Sequence, residues 1–196
     1  MGEDWASGLN YREGRPSSRY LDIEIFAPTL CGMETGDVID RMIAAWREAR
    51  PDLDPSPLEV VGRVIVLAEH LERSVELALE RHGLALGQFD ILATLRRHGP
   101  KGGLSPSQLL ESVMLSSGGM TARLDKLAQA GLIYRKADPE DRRVVKVELT
   151  AKGRRVIDAA TATRFAEAAT SRPPLTADEL AMLTELLRRW LAQVAG

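Results

Sequence analysis

Cysteine is almost missing from this chain of 196 residues, Cys31 being the single one. One thiol cannot form an internal disulfide, and a zinc cluster needs more soft ligands than it supplies. Histidine is equally scarce: His70, His82 and His98 are scattered without ligand spacing, so no metal site is expected. No apolar run approaches the roughly 18 residues that a transmembrane helix requires. The opening MGEDWASGLNYREGR has no uninterrupted apolar stretch after a basic start, and no secretory signal is read there. These absences fit a reducing, cytoplasmic home without membrane attachment. Enzyme signatures are missing too. There is no Cys–His pair, no phosphate-cradling glycine loop and no close carboxylate pair, so neither catalysis nor a cofactor is expected.

What is present is an ordinary globular composition, 44% hydrophobic and 28% charged, which builds a core without covalent staples. The net charge of −2 conceals an uneven distribution. Residues 101–155 hold eleven Lys and Arg against six acids, an excess of five, which leaves −7 on the rest of the chain. A basic middle in an acidic setting is suited to a polyanion. A solvated charged surface explains the same numbers equally well.

Residues 1–36 mix Gly, Pro, Ser, Arg and aromatics without a period and read as a flexible extension. Met33 looks like a more natural beginning than Met1, so the first 32 residues are expected to come from an upstream start. From Asp37, the residues Val38, Ile39, Met42, Ile43 and Trp46 recur at helical spacing up to Arg50-Pro51. Ser56-Pro57 opens a second helix with a stripe of Val61, Val64, Ile65, Ala68, Leu71, Val75, Ala78 and Leu79, stopped by Gly83. A third runs from about Gly87 to His98, with Phe89, Leu92 and Leu95 inward.

The next signals are sharper. Ser105-Pro106-Ser107-Gln108 is a capping box that starts a short helix to about Val113. Ser117 can cap another, with Met120, Leu124 and Leu127 on one face and Gly131 closing it. A hairpin follows, from Leu132–Lys136 through a turn over Asp138–Asp141 to the alternating Val145–Leu149. Thr150 caps a long helix toward Ala169, and Thr176 with Glu179 caps a last one bearing Leu180, Leu183, Leu187 and Leu191. The fold class is therefore mainly α with a small β-hairpin wing: a winged helix-turn-helix in a helical body.

Ser116, Ser117, Gly118, Gly119, Thr121, Arg123 and Lys126 occupy the face opposite Met120, Leu124 and Leu127. Small residues at a helix N-terminus let backbone N–H groups approach a phosphate, and an arginine such as Arg123 reaches guanine edges. At the hairpin tip, Arg142 and Arg143 can enter a minor groove while Asp141 orients the guanidinium. A loop–helix junction and a solvated turn would tolerate the same residues; their combination with the helix-turn-helix favours double-stranded DNA.

The strings Leu104-Ser-Pro-Ser-Gln-Leu, Gly119-Met-Thr-Ala-Arg-Leu, Ala130-Gly-Leu-Ile-Tyr-Arg and Asp138-Pro-Glu-Asp-Arg-Arg, with Leu149-Thr-Ala-Lys-Gly, resemble MarR-family transcriptional regulators over residues 58–150. The family's Asp-x-Arg wing pattern falls on Asp141 and Arg143. The resemblance implies a homodimer joined by its terminal helices on a palindromic operator. Trp46-Arg-Glu-Ala-Arg-Pro-Asp-Leu-Asp, Phe89-Asp-Ile-Leu-Ala-Thr-Leu-Arg-Arg and Ser116-Ser-Gly-Gly-Met-Thr further resemble the urate-responsive PecS/HucR branch, with its extra N-terminal helix at 37–50. That branch's ligand signature, matched by motif, falls on Trp46, Asp90, Arg97 and Arg135.

Asp90 and Arg97, seven residues apart, share a helix face at a separation of about 10 Å along the axis. That is too far for direct pairing and suits two ends of a small planar ligand. Trp46 offers a stacking face, Arg97 a fork for an anion, and Asp90 an acceptor for ring N–H groups or a partner for Arg135. Without the resemblance, Trp46 reads as core and Asp90 and Arg97 as ion-pair residues.

The expected organisation is a flexible extension over 1–36, helices for dimerisation and the ligand pocket over 37–82, a winged helix-turn-helix over 83–150, and C-terminal dimerisation helices over 151–196. The expected function is a repressor that releases its operator on binding a small anionic aromatic such as urate. Alternatives are a phenolic or antibiotic effector, an oxidant signal through Cys31 as in some members of the family, and a winged helix used for protein contacts.

Overall fold

The structure is a computed structural model that describes residues 36–99, 103–112, 119–138 and 144–194. The expectations for Cys31, Ser116, Ser117, Gly118, Asp141, Arg142 and Arg143 lie outside the described residues. The described residues form the helices α1 (Val38–Ala49), α2 (Leu58–Glu80), α3 (Leu86–His98), α4 (Pro106–Ser112), α5 (Met120–Gln129), α6 (Ala151–Thr170) and α7 (Ala177–Val194), with strands β1 (Ile133–Ala137) and β2 (Val145–Leu149). The chain divides into two compact units: one reaches to Val66 and takes in Gly119, the other runs from Leu67 onward. No helix among the described residues is long and apolar enough to cross a membrane.

In the first unit the Asp37 carboxylate accepts from the N–H groups of Ile39 and Asp40, while Asp40 accepts from the Asp37 N–H, so α1 starts with a reciprocal cap. Arg63 of α2 donates to both Asp37 and Asp40, at 2.8 and 2.6 Å. Ile39 and Ile43 are buried, and Gly62 makes this possible: a Cβ there would lie 2.9 Å from Ile39 Cδ1. Ser56 does not cap α2 with its side chain as expected. Its hydroxyl and its N–H both donate to Asp54, and α2 starts at Leu58.

The core of the second unit is made by Val75 and Leu79 of α2, Ile91, Leu92 and Leu95 of α3, Leu109 of α4, Leu124 and Leu127 of α5, Val147 of β2 and Ile157 of α6. The expected capping boxes are formed: Gln108 with Ser105, and Glu179 with Thr176. The hairpin pairs β1 antiparallel to β2 with Ile133 opposite Leu149 and Arg135 opposite Val147. Leu104 exchanges backbone hydrogen bonds with Val147, a bridge hidden in the sequence behind Gly102-Gly103.

Thr150 joins the wing to α6. Its hydroxyl donates to the Gly131 carbonyl at 2.7 Å and accepts from the Gly153 N–H at 2.9 Å. Gly153 lies so close to the chain that a Cβ would fall 1.9 Å from the Leu132 carbonyl oxygen.

Two apolar stripes behave differently from expectation. On α2 only Val75 and Leu79 of the stripe are buried, whereas Val61, Ile65 and Leu71 stay exposed. On α7 no residue is buried, and Met182, Leu186, Leu187, Leu191 and Val194 are exposed. Helical period was read correctly in both; the surface that covers these faces is not supplied by the described residues of their own unit.

Candidate functional site

Helix α5 has two faces of opposite character. Met120, Leu124 and Leu127 are buried to 6% exposure or less, which anchors the helix, and Thr121 and Lys126 on the other side are exposed. Arg123 is half-buried. Asp125, also exposed, accepts from Arg135 Nη2 of β1 at 2.7 Å. The helix expected to read DNA is thus tied by an ion pair to the first strand of the wing. Lys146 of β2 pairs with Asp138 at 2.6 Å at the other end of the hairpin.

Asp90 and Arg97 share α3 as their spacing requires. Asp90 is half-buried. Burial pushes its carboxyl up from the ordinary range, against the pull of two guanidinium groups, Arg97 and Arg164. Arg97 is exposed and donates from Nη2 to the buried Thr94 hydroxyl at 2.9 Å. Arg135, expected as a partner for Asp90, is not brought to it; the charges that reach Asp90 are those of Arg97 and Arg164. The physical reason is that the wing strand presents Arg135 to the nearer carboxylate on α5.

Arg164 was not anticipated. It lies on α6, donates from Nη1 to Glu167 Oε2 at 2.7 Å, and in sequence resembles any i,i+3 surface pair. Glu167 is not a surface residue: its side chain is 9% exposed, and its Oε1 accepts from the hydroxyls of Ser171 at 2.6 Å and Ser74 at 2.8 Å. Burial alone would raise the Glu167 carboxyl; the two hydroxyls and Arg164 together hold it below its ordinary value.

Trp46 belongs to the first unit. It is 49% exposed and so is not a core residue. It stands between two grooves of that unit. The larger, about 560 Å³, is lined by Val38, Ile39, Met42, Leu58 and Ile65 as well as Trp46. The smaller, about 230 Å³, is lined with Leu53 and Pro55 and by Arg50, whose guanidinium is held bidentately by Asp52 at 2.7 and 2.6 Å. Among the described residues no group of three or more His, Cys, Asp or Glu could hold a metal ion.

The sequence model of the MarR family matches residues 84–145, from the approach to α3 into β2. The HTH-type transcriptional regulator PecS of Dickeya dadantii (strain 3937) is 37% identical over 121 residues, covering 62% of this chain and 70% of that protein. The HTH-type transcriptional regulator MhqR of Bacillus subtilis (strain 168) is 34% identical over 111 residues, 57% of this chain and 74% of its own. Among solved structures, a cysteine-to-serine mutant of MarR from E. coli complexed with operator DNA superposes with a TM-score of 0.59 at 26% identity, covering 74% of this chain and 97% of its own.

Proposed function

Because the chain belongs to the MarR family, we propose that it is a repressor that holds a palindromic operator as a homodimer and releases it when a small anionic aromatic binds. The observation that carries the DNA-binding part is the build of α5: three buried anchors on one side, exposed Thr121 and Lys126 on the other, and the hairpin immediately after. That is the geometry by which a helix enters a major groove while a wing follows the backbone. Ser116, Ser117, Gly118, Arg123, Arg142 and Arg143 complete the proposed contact set, with Asp141 orienting the wing arginines. The E. coli MarR structure with operator DNA supports this reading. The workplace of such a protein is the cytoplasm.

The homodimer rests on the apolar faces of α2 and α7, since exposed rows such as Leu186, Leu187 and Leu191 need a partner surface. A charge-poor helix face of this kind fits the proposed dimerisation segments 37–82 and 151–196. The winged helix proper is then 83–150.

For the effector, Asp90 and Arg97 form the group in the second unit, and Trp46 is a separate candidate contact in the first. Urate is the first probe, chosen because PecS is a relative and because a planar anion with ring N–H groups suits a guanidinium beside a carboxylate. Release that weakens operator binding about 100-fold requires roughly 2.7 kcal/mol of differential affinity.

The test is an electrophoretic shift with operator-bearing DNA across a range of salt, followed by urate titration of the complex. Binding that weakens steeply with salt, and prefers operator over unrelated duplex, supports the reading. Absence of any shift identifies the winged helix as a protein-contact module and overturns it. Release by a phenol, an antibiotic or peroxide in place of urate keeps the regulator and replaces the effector.

A further inference from the structure

We infer that Lys152 is a positioning residue for operator discrimination: from the first turn of α6 it clamps the C-terminal end of α5 and so fixes the angle between the reading helix and the wing. The inference rests on the proposed reading of DNA by α5 and names a residue that sets its aim.

The end of α5 is closed by a glycine turn. Gly131 has a φ of +68°. Its N–H donates to the Ala128 carbonyl at 2.9 Å, and the Leu132 N–H donates to the Leu127 carbonyl at 3.0 Å. The carbonyls of the turn itself are all taken by the start of α6. Ala130 accepts from Lys152 Nζ at 2.8 Å, Gly131 from the Thr150 hydroxyl at 2.7 Å, and Leu132 from the Thr150 N–H at 3.0 Å. The wing leaves and returns through the same seam, because β1 begins at Ile133, β2 ends at Leu149, and these two residues pair.

Electrostatics sets Lys152 apart. It is the second residue of α6, where the helix dipole disfavours a cation, and the first turn holds no acidic residue to offset it. The C-terminal end of α5 supplies what its own helix does not, since a cation is favoured there. The side chain is exposed, so core packing does not hold it in place. In the string Leu149-Thr-Ala-Lys-Gly the threonine caps α6, and the lysine reaches across to α5.

Aim matters because base readout is directional. Met120, Leu124 and Leu127 hold α5 against the core, but apolar contact has no preferred direction. Hydrogen bonds at the end of the helix set its angle. With ten residues, α5 is about 15 Å long, and a tilt of about 5° at the clamped end moves the far end by about 1.3 Å. Hydrogen bonds to base edges do not survive such a shift, since their lengths span only about 0.5 Å. Phosphate contacts carry no sequence information. A loosened α5 therefore loses preference before it loses affinity for DNA in general.

The experiment measures the affinity of the full-length protein for two duplexes across a range of salt. One is a duplex that the wild type selects from a random library, the other a scrambled duplex of equal composition. Both affinities scale with the folded fraction, so a purely structural loss of stability leaves their ratio untouched. Lys152→Met is expected to lower the ratio about ten-fold, the discrimination carried by one base pair, with an unchanged salt slope. Lys152→Arg, whose guanidinium also donates to a carbonyl, should keep the wild-type ratio. An unchanged ratio in Lys152→Met overturns the inference. So does an even loss on both duplexes with the salt slope reduced by about one, which makes Lys152 a phosphate contact. A ratio in Lys152→Arg as low as in Lys152→Met overturns it as well. If the wild type selects no duplex from the library, the DNA reading itself fails and the inference falls with it; a wild type that selects one keeps that reading whatever Lys152 does.

Discussion

Arg135 of β1 donates to Asp125 of α5 at 2.7 Å, and this pair links the wing strand to the helix proposed to read DNA. The pair is exposed, so its direct contribution to stability is small, below about 1 kcal/mol. Its consequence for DNA is larger. Without Arg135, the Asp125 carboxylate stands uncompensated beside Lys126, on the surface proposed to face phosphate.

Arg135→Ala is therefore expected to weaken binding to all DNA sequences alike, with little change in unfolding temperature and an unaltered response to urate. Asp125→Asn in the Arg135→Ala background should restore much of the lost affinity. A shift assay on the four proteins of that cycle checks it; a selective loss of urate release in Arg135→Ala would return this residue to the effector group.

Recognition and positioning separate on α5. Lys126→Ala should reduce affinity evenly across sequences and lower the salt slope by about one, as for the loss of one phosphate contact. Arg123→Ala should cost about 1–3 kcal/mol at the operator and relax preference at one base position. Unchanged operator preference in the second variant removes Arg123 from base readout.

Gly153→Ala tests the seam between wing and α6. The added Cβ would fall 1.9 Å from the Leu132 carbonyl oxygen, which is backbone and cannot swing aside. A loss toward the upper end of the roughly 1–3 kcal/mol typical of overpacking is expected, read as a lower midpoint in urea. Gly83→Ala makes a poor control because of its positive φ, so Ala130→Ser on the exposed surface serves instead.

Asp90 carries a pH signature of definite sign. Its carboxyl is raised in the folded protein, chiefly by burial, so the folded state binds its proton more tightly than the unfolded chain does. Stability is thus lost as pH rises from the ordinary carboxylate range through the raised value. Asp90→Asn should unfold at a higher temperature than wild type at neutral pH, and the difference should shrink as pH falls through that window. A gap that persists unchanged in acid would assign the effect to something other than ionisation.

The apolar row on α7 predicts the assembly. Leu187→Glu together with Leu191→Glu should convert a dimer into monomers in sedimentation velocity, and weaken operator binding because two half-sites are no longer held together. A double variant that sediments as wild type would exclude this face from the dimer.

Local chemistry was legible in the chain. The caps at Ser105, Thr150 and Thr176 were readable because donor and acceptor stand within three residues of each other, and the second strand of the hairpin was readable from its alternation. The buried face of α5 was equally plain from its period. Partners distant in sequence were not. Whether Arg135 meets Asp90 or Asp125 depends on how the wing packs against α5, and nothing in the spacing distinguishes the two carboxylates. Glu167 becomes a buried anchor for Arg164 only when Ser74, 93 residues away, closes over it. Period tells which face of α2 or α7 is apolar; burial depends on the surface that arrives opposite, and that is a property of the packed molecule rather than of the helix.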